Sequence, residues 1–174
     1  MSAPRIQKLL QTLNWKVNNH NLFHQALTHS SYAYEHNLSN GHNERLEFLG
    51  DAVLEVIISD YLYNHYPDYP EGKLTRMRAD IVCEPTLARL AENIGLGECL
   101  LLGKGESAGG GSKRPSLLSD ALEALIGALY LDLGFTRTYE LTVDLFAPVF
   151  KELEKGSFGT SRTKTLQRLF LTPS

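Results

Sequence analysis

A row of three carboxylates on an otherwise apolar helix constrains this chain more than any other feature. In the stretch His42-Asn43-Glu44-Arg45-Leu46-Glu47-Phe48-Leu49-Gly50-Asp51, the acids Glu44, Glu47 and Asp51 stand at relative positions 0, +3 and +7. Seven residues fall only ~20° short of two full helical turns, so all three share one face. At a rise of ~1.5 Å per residue, Glu47 and Asp51 start ~6 Å apart along the axis. Both could then reach one hydrated divalent cation. The other positions of this segment are Leu46, Phe48 and Leu49, then Ala52, Val53, Leu54, Val56, Ile57 and Ile58. A helix apolar on most of its sides is largely buried. Carboxylates on such a helix cost free energy unless a cation, a metal or hydrogen bonds meet them. Spacing alone leaves two readings open. One is a metal site; the other is an acidic first turn favoured by the helix dipole, with Asn43 as N-cap.

A second helix repeats the pattern. Asp120 and Glu123 stand at i and i+3 among Leu117, Leu118, Leu122, Leu125, Ile126 and Leu129. Two such helices packed at the usual ~8–10 Å would bring Glu47, Asp51, Asp120 and Glu123 together. Four carboxylates in one pocket raise one another's pKa unless cations enter. Oxygen-only ligands point to Mg²⁺, with Mn²⁺ able to substitute. Phosphodiester hydrolysis needs an activated water and stabilised charge on the attacking and leaving oxygens, and two metals ~3.5–4 Å apart supply both. The alternative is two unrelated surface acid pairs. Glu55, one turn beyond Asp51, reads as a solvated acid or the partner of a neighbour.

Helical periodicity dominates the rest, and no alternating strand or internal repeat stands out. Residues 5–14 place Ile6, Leu9, Leu10 and Leu13 on one stripe, and a second helix is expected over 21–29. The polar segment 30–41 reads as a loop. The central helix should run from about 43 to 66 and stop at Pro67. Pro70 opens the next, to about 82, since proline suits a first turn. Pro85 restarts a helix that ends near Gly95 and Gly97. Residues 103–114 read as a flexible glycine-rich loop. It has Gly-Ser-Lys where a phosphate-binding loop needs Gly-Lys-Ser/Thr, which excludes nucleotide binding there. Pro115 opens the second acidic helix, Gly134 ends it, and a last helix covers 136–154 with Pro148 inside. This predicts an all-α domain over 1–155.

The tail, 156–174, is polar and basic. Residues 151–174 carry +3 of an overall −3, leaving −6 on residues 1–150. That acidity argues mildly against a passive nucleic-acid binder. It is compatible with an enzyme whose carboxylates are neutralised by metal. Cys83 and Cys99 form no CxxC pair and adjoin no His cluster, so zinc is not expected. His20 and His24 stand four residues apart, but Asn21 occupies the place of the glutamate a zinc protease needs, and no histidine stands in a deaminase pattern. An intracellular, cytoplasmic setting fits the two thiols. No apolar run approaches the ~20 residues of a membrane span.

Three blocks carry a resemblance. Asn43 to Leu54 (NERLEFLGDAVL), Pro70 to Ala79 (PEGKLTRMRA) and Leu118 to Ala128 (LSDALEALIGA) resemble, in order and spacing, the catalytic domain of the ribonuclease III family. The resemblance covers about residues 5–155. It implies the family's all-α endonuclease fold, a homodimeric helical bundle acting on double-stranded RNA. It implies metal-dependent hydrolysis leaving 5′-phosphate and 3′-hydroxyl ends with short 3′ overhangs, in the processing of rRNA and mRNA precursors. Glu47, Asp51, Asp120 and Glu123 match the family's metal-site carboxylates, with Asp51 and Glu123 as the catalytic pair. Glu44 and Glu71 match two secondary acids. Phe48 matches the aromatic that enters the partner subunit, and an ordinary core phenylalanine is the alternative. Lys73, Arg76 and Arg78, then Lys104, Lys113 and Arg114, are the candidates for RNA phosphates; Arg45 could instead pair with a signature acid. Thr163 to Gln167 are similar to the linker that leads to a double-stranded-RNA-binding domain, which is expected to be absent here. The rival reading is a non-catalytic RNA-binding protein on the same fold.

Overall fold

The structure, a computed structural model, describes residues 3–38 and 41–155. The basic tail read at 156–174 lies outside the described residues. Eight α-helices follow one another among the described residues: α1 (Ala3–Thr12), α2 (His20–Ala26), α3 (Ser30–Glu35), α4 (Glu44–His65), α5 (Glu71–Ile81), α6 (Glu84–Asn93), α7 (Lys104–Ala108) and α8 (Pro115–Glu154). Short 3₁₀ turns at Leu96–Cys99 and Gly111–Lys113 join the later ones. Among the described residues no helix is long and apolar enough to cross a membrane.

The prolines act as the sequence suggests. Pro70 precedes α5 in an extended conformation, and α6 and α8 each carry proline in the first turn. Gly134 breaks α8 into two arms, 115–133 and 135–154, with φ 75° and ψ 174°. That left-handed φ strains any residue with a Cβ. The Thr138 hydroxyl donates back to the Gly134 carbonyl and closes the first turn of the second arm. At the break, the Asp132 carboxylate accepts from the backbone N–H groups of Asn18 and Asn19, at 2.7 and 2.9 Å. This ties the start of α2 to α8.

Helices α4 and α8 form the spine. Leu54, Ile57, Ile58 and Leu62 of α4 are fully buried against Leu122, Leu125, Ile126 and Phe146 of α8. Each such side chain contributes about 1.5–3 kcal/mol. The two helices cross backbone to backbone. A Cβ on Gly50 would lie 1.7 Å from the Glu123 carbonyl oxygen, and one on Gly127 would lie 2.3 Å from that of Leu46. Only glycine permits this approach.

Three local expectations are corrected. The helix read over 21–29 ends at Ala26, because Thr28 pairs in a parallel bridge with Leu101. The segment read as a loop after it contains α3, capped by the His29 side chain. The run 103–114, read as a flexible loop, forms α7 and a 3₁₀ turn, closed by an Arg114–Glu106 ion pair of 2.7 Å. Asn43 does occupy the N-cap position of α4, but its side chain makes no capping bond. Its N–H donates instead to the Thr28 carbonyl.

Candidate catalytic site

The α4–α8 crossing determines which acids meet. Gly50 lies between Glu47 and Asp51 on α4, and its close contact on α8 is the backbone of Glu123 itself. Carboxylate oxygens of Glu47, Asp120 and Glu123 lie within 4.8 Å of one another, and all three residues are half-buried. Asp51 is exposed and outside this trio. It still acts on it, as the strongest charged neighbour of Glu123.

The trio lacks a counter-charge. None of the ion pairs among the described residues involves Glu47, Asp51, Asp120 or Glu123. Burial, then Asp51, Asp120 and Glu47, push the Glu123 carboxyl up to about 8. Glu47 is raised by burial, then by Asp120, Glu44 and Asp51. Asp120 is raised by burial and by Glu84 at the start of α6, and lowered by His29. Three oxygen donors that repel one another in a half-buried site suit a hard divalent cation.

The remaining acids are peripheral. Glu44 is exposed, with His42 Nδ1 3.8 Å from its carboxylate. Glu71 is exposed at the start of α5 and accepts from the Thr75 hydroxyl at 2.7 Å. Glu55 has a partner, Arg78, whose Nε lies 2.9 Å from its carboxylate. Arg78 also donates to Ser59 at 2.9 Å. Arg78 and Arg114 therefore spend their charge inside the chain, which weakens both as phosphate ligands. Arg76, Lys104 and Lys113 are exposed, and Lys73 lies 3.2 Å over the Tyr69 ring. Arg45 is exposed and forms no ion pair among the described residues.

Phe48 is 81% exposed, so the reading of it as an ordinary core residue does not hold for the single chain. Val56 and Tyr63, at 55% and 72%, continue its stripe along α4. The three lie within about 80° of one another at ~100° per residue.

Carboxylate spacing along a helix does not point to Gly50, Gly127, Glu84 or His29. The glycines carried a signal, a small residue inside each acidic helix. Glu84 and His29 had none, because only packing brings them to Asp120.

Fold and site together define a class: an all-helical domain with an acidic cluster at the crossing of its two longest helices. The sequence model of the family described as Ribonuclease-III-like matches residues 19–148, and the chain belongs to that family. It is 51% identical over 150 residues to Ribonuclease 3 of Pelotomaculum thermopropionicum, covering 85% of this chain and 62% of that protein. With Ribonuclease 3 of Staphylococcus saprophyticus the identity is 49% over 151 residues, covering 86% of this chain and 62% of the relative. The chain thus spans about three-fifths of the length of these curated relatives. A solved nuclease domain of Ribonuclease III from Campylobacter jejuni superposes with a TM-score of 0.76 at 41% identity, over 80% of this chain and 94% of that one. That protein was described for flexibility in a region involved in dimer formation. Dicer from Pichia stipitis superposes with a TM-score of 0.61 at 27% identity, over 80% of this chain and 59% of that one.

Proposed function

We propose that this chain is the endonuclease domain, over residues 1–155, of a double-stranded-RNA-specific ribonuclease. It would work in the cytoplasm on rRNA and mRNA precursors, leaving 5′-phosphate and 3′-hydroxyl ends. The observation that carries the reading is the uncompensated trio Glu47, Asp120 and Glu123, in a chain of this family. The trio would hold Mg²⁺, or Mn²⁺ in its place. A divalent cation bound there supplies a Lewis acid for the phosphoryl oxygens and lowers the pKa of water. Glu123 must give up the proton that its neighbours favour before it can act as a ligand. Asp51, beside the trio and exposed, is assigned to orienting the attacking water. Glu44, whose charge acts on Glu47, and Glu71, at the start of α5, are assigned as secondary acids. Lys73, Arg76, Lys104 and Lys113 are the exposed cations assigned to phosphates.

A non-catalytic RNA-binding protein on the same fold would have no use for a self-repelling acid trio. The deciding experiment is incubation with long duplex RNA, with and without Mg²⁺. Cleavage is expected only with Mg²⁺ and should fall steeply with salt. Each phosphate contact contributes about 0.9 to the logarithmic salt slope, and residues 1–150 add no net positive charge of their own. Duplex binding without scission at any Mg²⁺ or Mn²⁺ concentration would establish the non-catalytic rival.

We also assign the exposed α4 stripe of Phe48, Val56 and Tyr63 to a two-fold homodimer. An apolar stripe of this kind is the mark of an interface, and a two-fold dimer suits the near-two-fold symmetry of a duplex. Phe48→Ala should weaken the dimer by about 3–5 kcal/mol per buried ring, roughly 10²–10⁴-fold in dissociation constant for each ring lost. The melting temperature of the dissociated chain should barely move, since the ring is exposed there. Sedimentation at low micromolar concentration reads the first effect. A variant as dimeric as the parent would remove Phe48 from the interface.

A further inference from the structure

An open groove of about 870 Å³ abuts the N-terminal end of the acid row, lined by His29, Ser30, Tyr34, Glu35, Leu38 and His42 among others. The two meet at His42. Its Nδ1 makes no hydrogen bond among the described residues and lies 3.8 Å from the Glu44 carboxylate. Glu44 opens α4, and Glu47 of the trio follows on the same face ~4.5 Å further along the axis. The groove is also tied to α4 through the backbone, since the Thr28 carbonyl accepts from the Asn43 N–H at 2.9 Å. The hydrogen-bonding groups of the groove are largely neutral. The His29 Nδ1 accepts from the Ser31 N–H at 3.2 Å, so the neutral ring carries its hydrogen on Nε2. That Nε2 makes no hydrogen bond among the described residues. Tyr34 is 87% exposed and offers a phenol hydroxyl and an aromatic face. No Lys or Arg lines the groove. Its one carboxylate, Glu35, accepts from the Lys104 N–H at 2.8 Å.

This lining narrows what can bind. Phosphate oxygens call for cations, and here they would meet Glu35. A metal ion needs converging ligands, and among the described residues the acids that converge are Glu47, Asp120 and Glu123, outside the groove. The bases of a duplex are paired and stacked. A duplex RNA offers neutral donors and an exposed aromatic its wide, shallow minor groove, edged by 2′-hydroxyls. We propose that the groove receives the ribose edge of the substrate duplex beside the acid site, with His29 and Tyr34 hydrogen-bonding its 2′-hydroxyls and so selecting RNA over DNA. This rests on the reading of the chain as a duplex-RNA nuclease.

The test is the affinity of the whole chain for two duplexes of one sequence, read by fluorescence anisotropy at low salt without Mg²⁺. One duplex is all-ribose and the other carries 2′-fluorine throughout. Fluorine keeps the A-form sugar pucker but cannot donate. The parent should prefer the ribose duplex. Tyr34→Phe removes one hydroxyl from an exposed ring. His29→Asn keeps an acceptor for the Ser31 N–H, as good N-caps do, but is too short to replace the Nε2 donor. Each variant should melt near the parent, bind the ribose duplex about 3–10-fold more weakly and bind the fluorinated duplex as the parent does. Equal affinity of the parent for the two duplexes overturns the proposal. So does either variant if it binds both duplexes as the parent does, or loses the same factor on both. A Tyr34→Phe chain that binds RNA as the parent does but sediments as a weaker dimer gives the groove to a second copy instead, and overturns it too. In each of these cases Mg²⁺-dependent cleavage of long duplex RNA by the parent leaves the nuclease reading standing. A parent that binds no duplex RNA overturns this inference, and one that also fails to cleave it with Mg²⁺ overturns that reading as well.

Discussion

Replacing Glu123 by glutamine is expected to abolish duplex-RNA cleavage, by on the order of 10³-fold or more, while the chain keeps its fold. The amide preserves shape but removes one anionic oxygen of the trio. About 4 kcal/mol of lost transition-state stabilisation accounts for a 10³-fold effect. The same substitution has a signature without RNA. In the cation-free chain the Glu123 carboxyl is pushed up to about 8, from 4.5, first by burial and then by Asp51, Asp120 and Glu47. A folded-state pKa above the unfolded one means that the folded chain holds the extra proton. The stabilisation is therefore complete below about pH 4.5 and is lost as the pH rises through about 8. Glu47 and Asp120 are shifted in the same direction. The cation-free parent should thus melt lower at pH 9 than at pH 6. Glu123→Gln cannot ionise, so it should flatten that fall. At pH 8–9 it should melt higher than the parent by about 2–6 °C, or 1–2 kcal/mol after solvent screening is allowed for. Added Mg²⁺ should stabilise the parent more than the variant. Undiminished turnover at saturating Mg²⁺ would take Glu123 out of the site.

Gly50→Ala is expected to have the largest effect on stability of any single methyl addition in α4. In an isolated helix this change favours folding by about 1 kcal/mol, because alanine is the better helix former. Here the new Cβ would lie 1.7 Å from the Glu123 carbonyl oxygen and 2.9 Å from the Gly127 nitrogen. Those are backbone atoms of a packed helix and cannot turn aside. The helices must separate, at a net cost of about 3 kcal/mol or more. Their separation also moves Glu123 away from Glu47, so cleavage and cation affinity should fall together with the melting point. Thermal melting with and without Mn²⁺ tests both halves. A variant that melts as high as the parent would show that the crossing does not depend on glycine.

Much of the helical layout was legible in the sequence, because proline and glycine act locally. Pro70, Pro85, Pro115 and Gly134 mark helix ends through their own backbone geometry, whatever the surroundings. The helical spacing of Glu44, Glu47 and Asp51, and of Asp120 and Glu123, is likewise a property of each helix alone. Short segments were not legible. Residues 30–35 and 104–108 are too brief for a periodic signal. Their helices are held by contacts distant in sequence, such as Gly103 on Ser31 and Lys104 on Glu35. The membership of the acid trio was decided at the tertiary level too. Periodicity puts Asp51 on the same face as Glu47, but the position of the crossing on α4 depends on where two glycine backbones touch. That contact brings Glu47 to Asp120 and Glu123 and leaves Asp51 beside them. The same holds for the cations. Arg78 and Arg114 are basic in any sequence, yet packing pairs them with Glu55 and Glu106. A sequence determines which charges a helix can present on one face. Which of them meet, and which are neutralised, depends on the distance between helices, and that distance is fixed by side chains absent at Gly50 and Gly127.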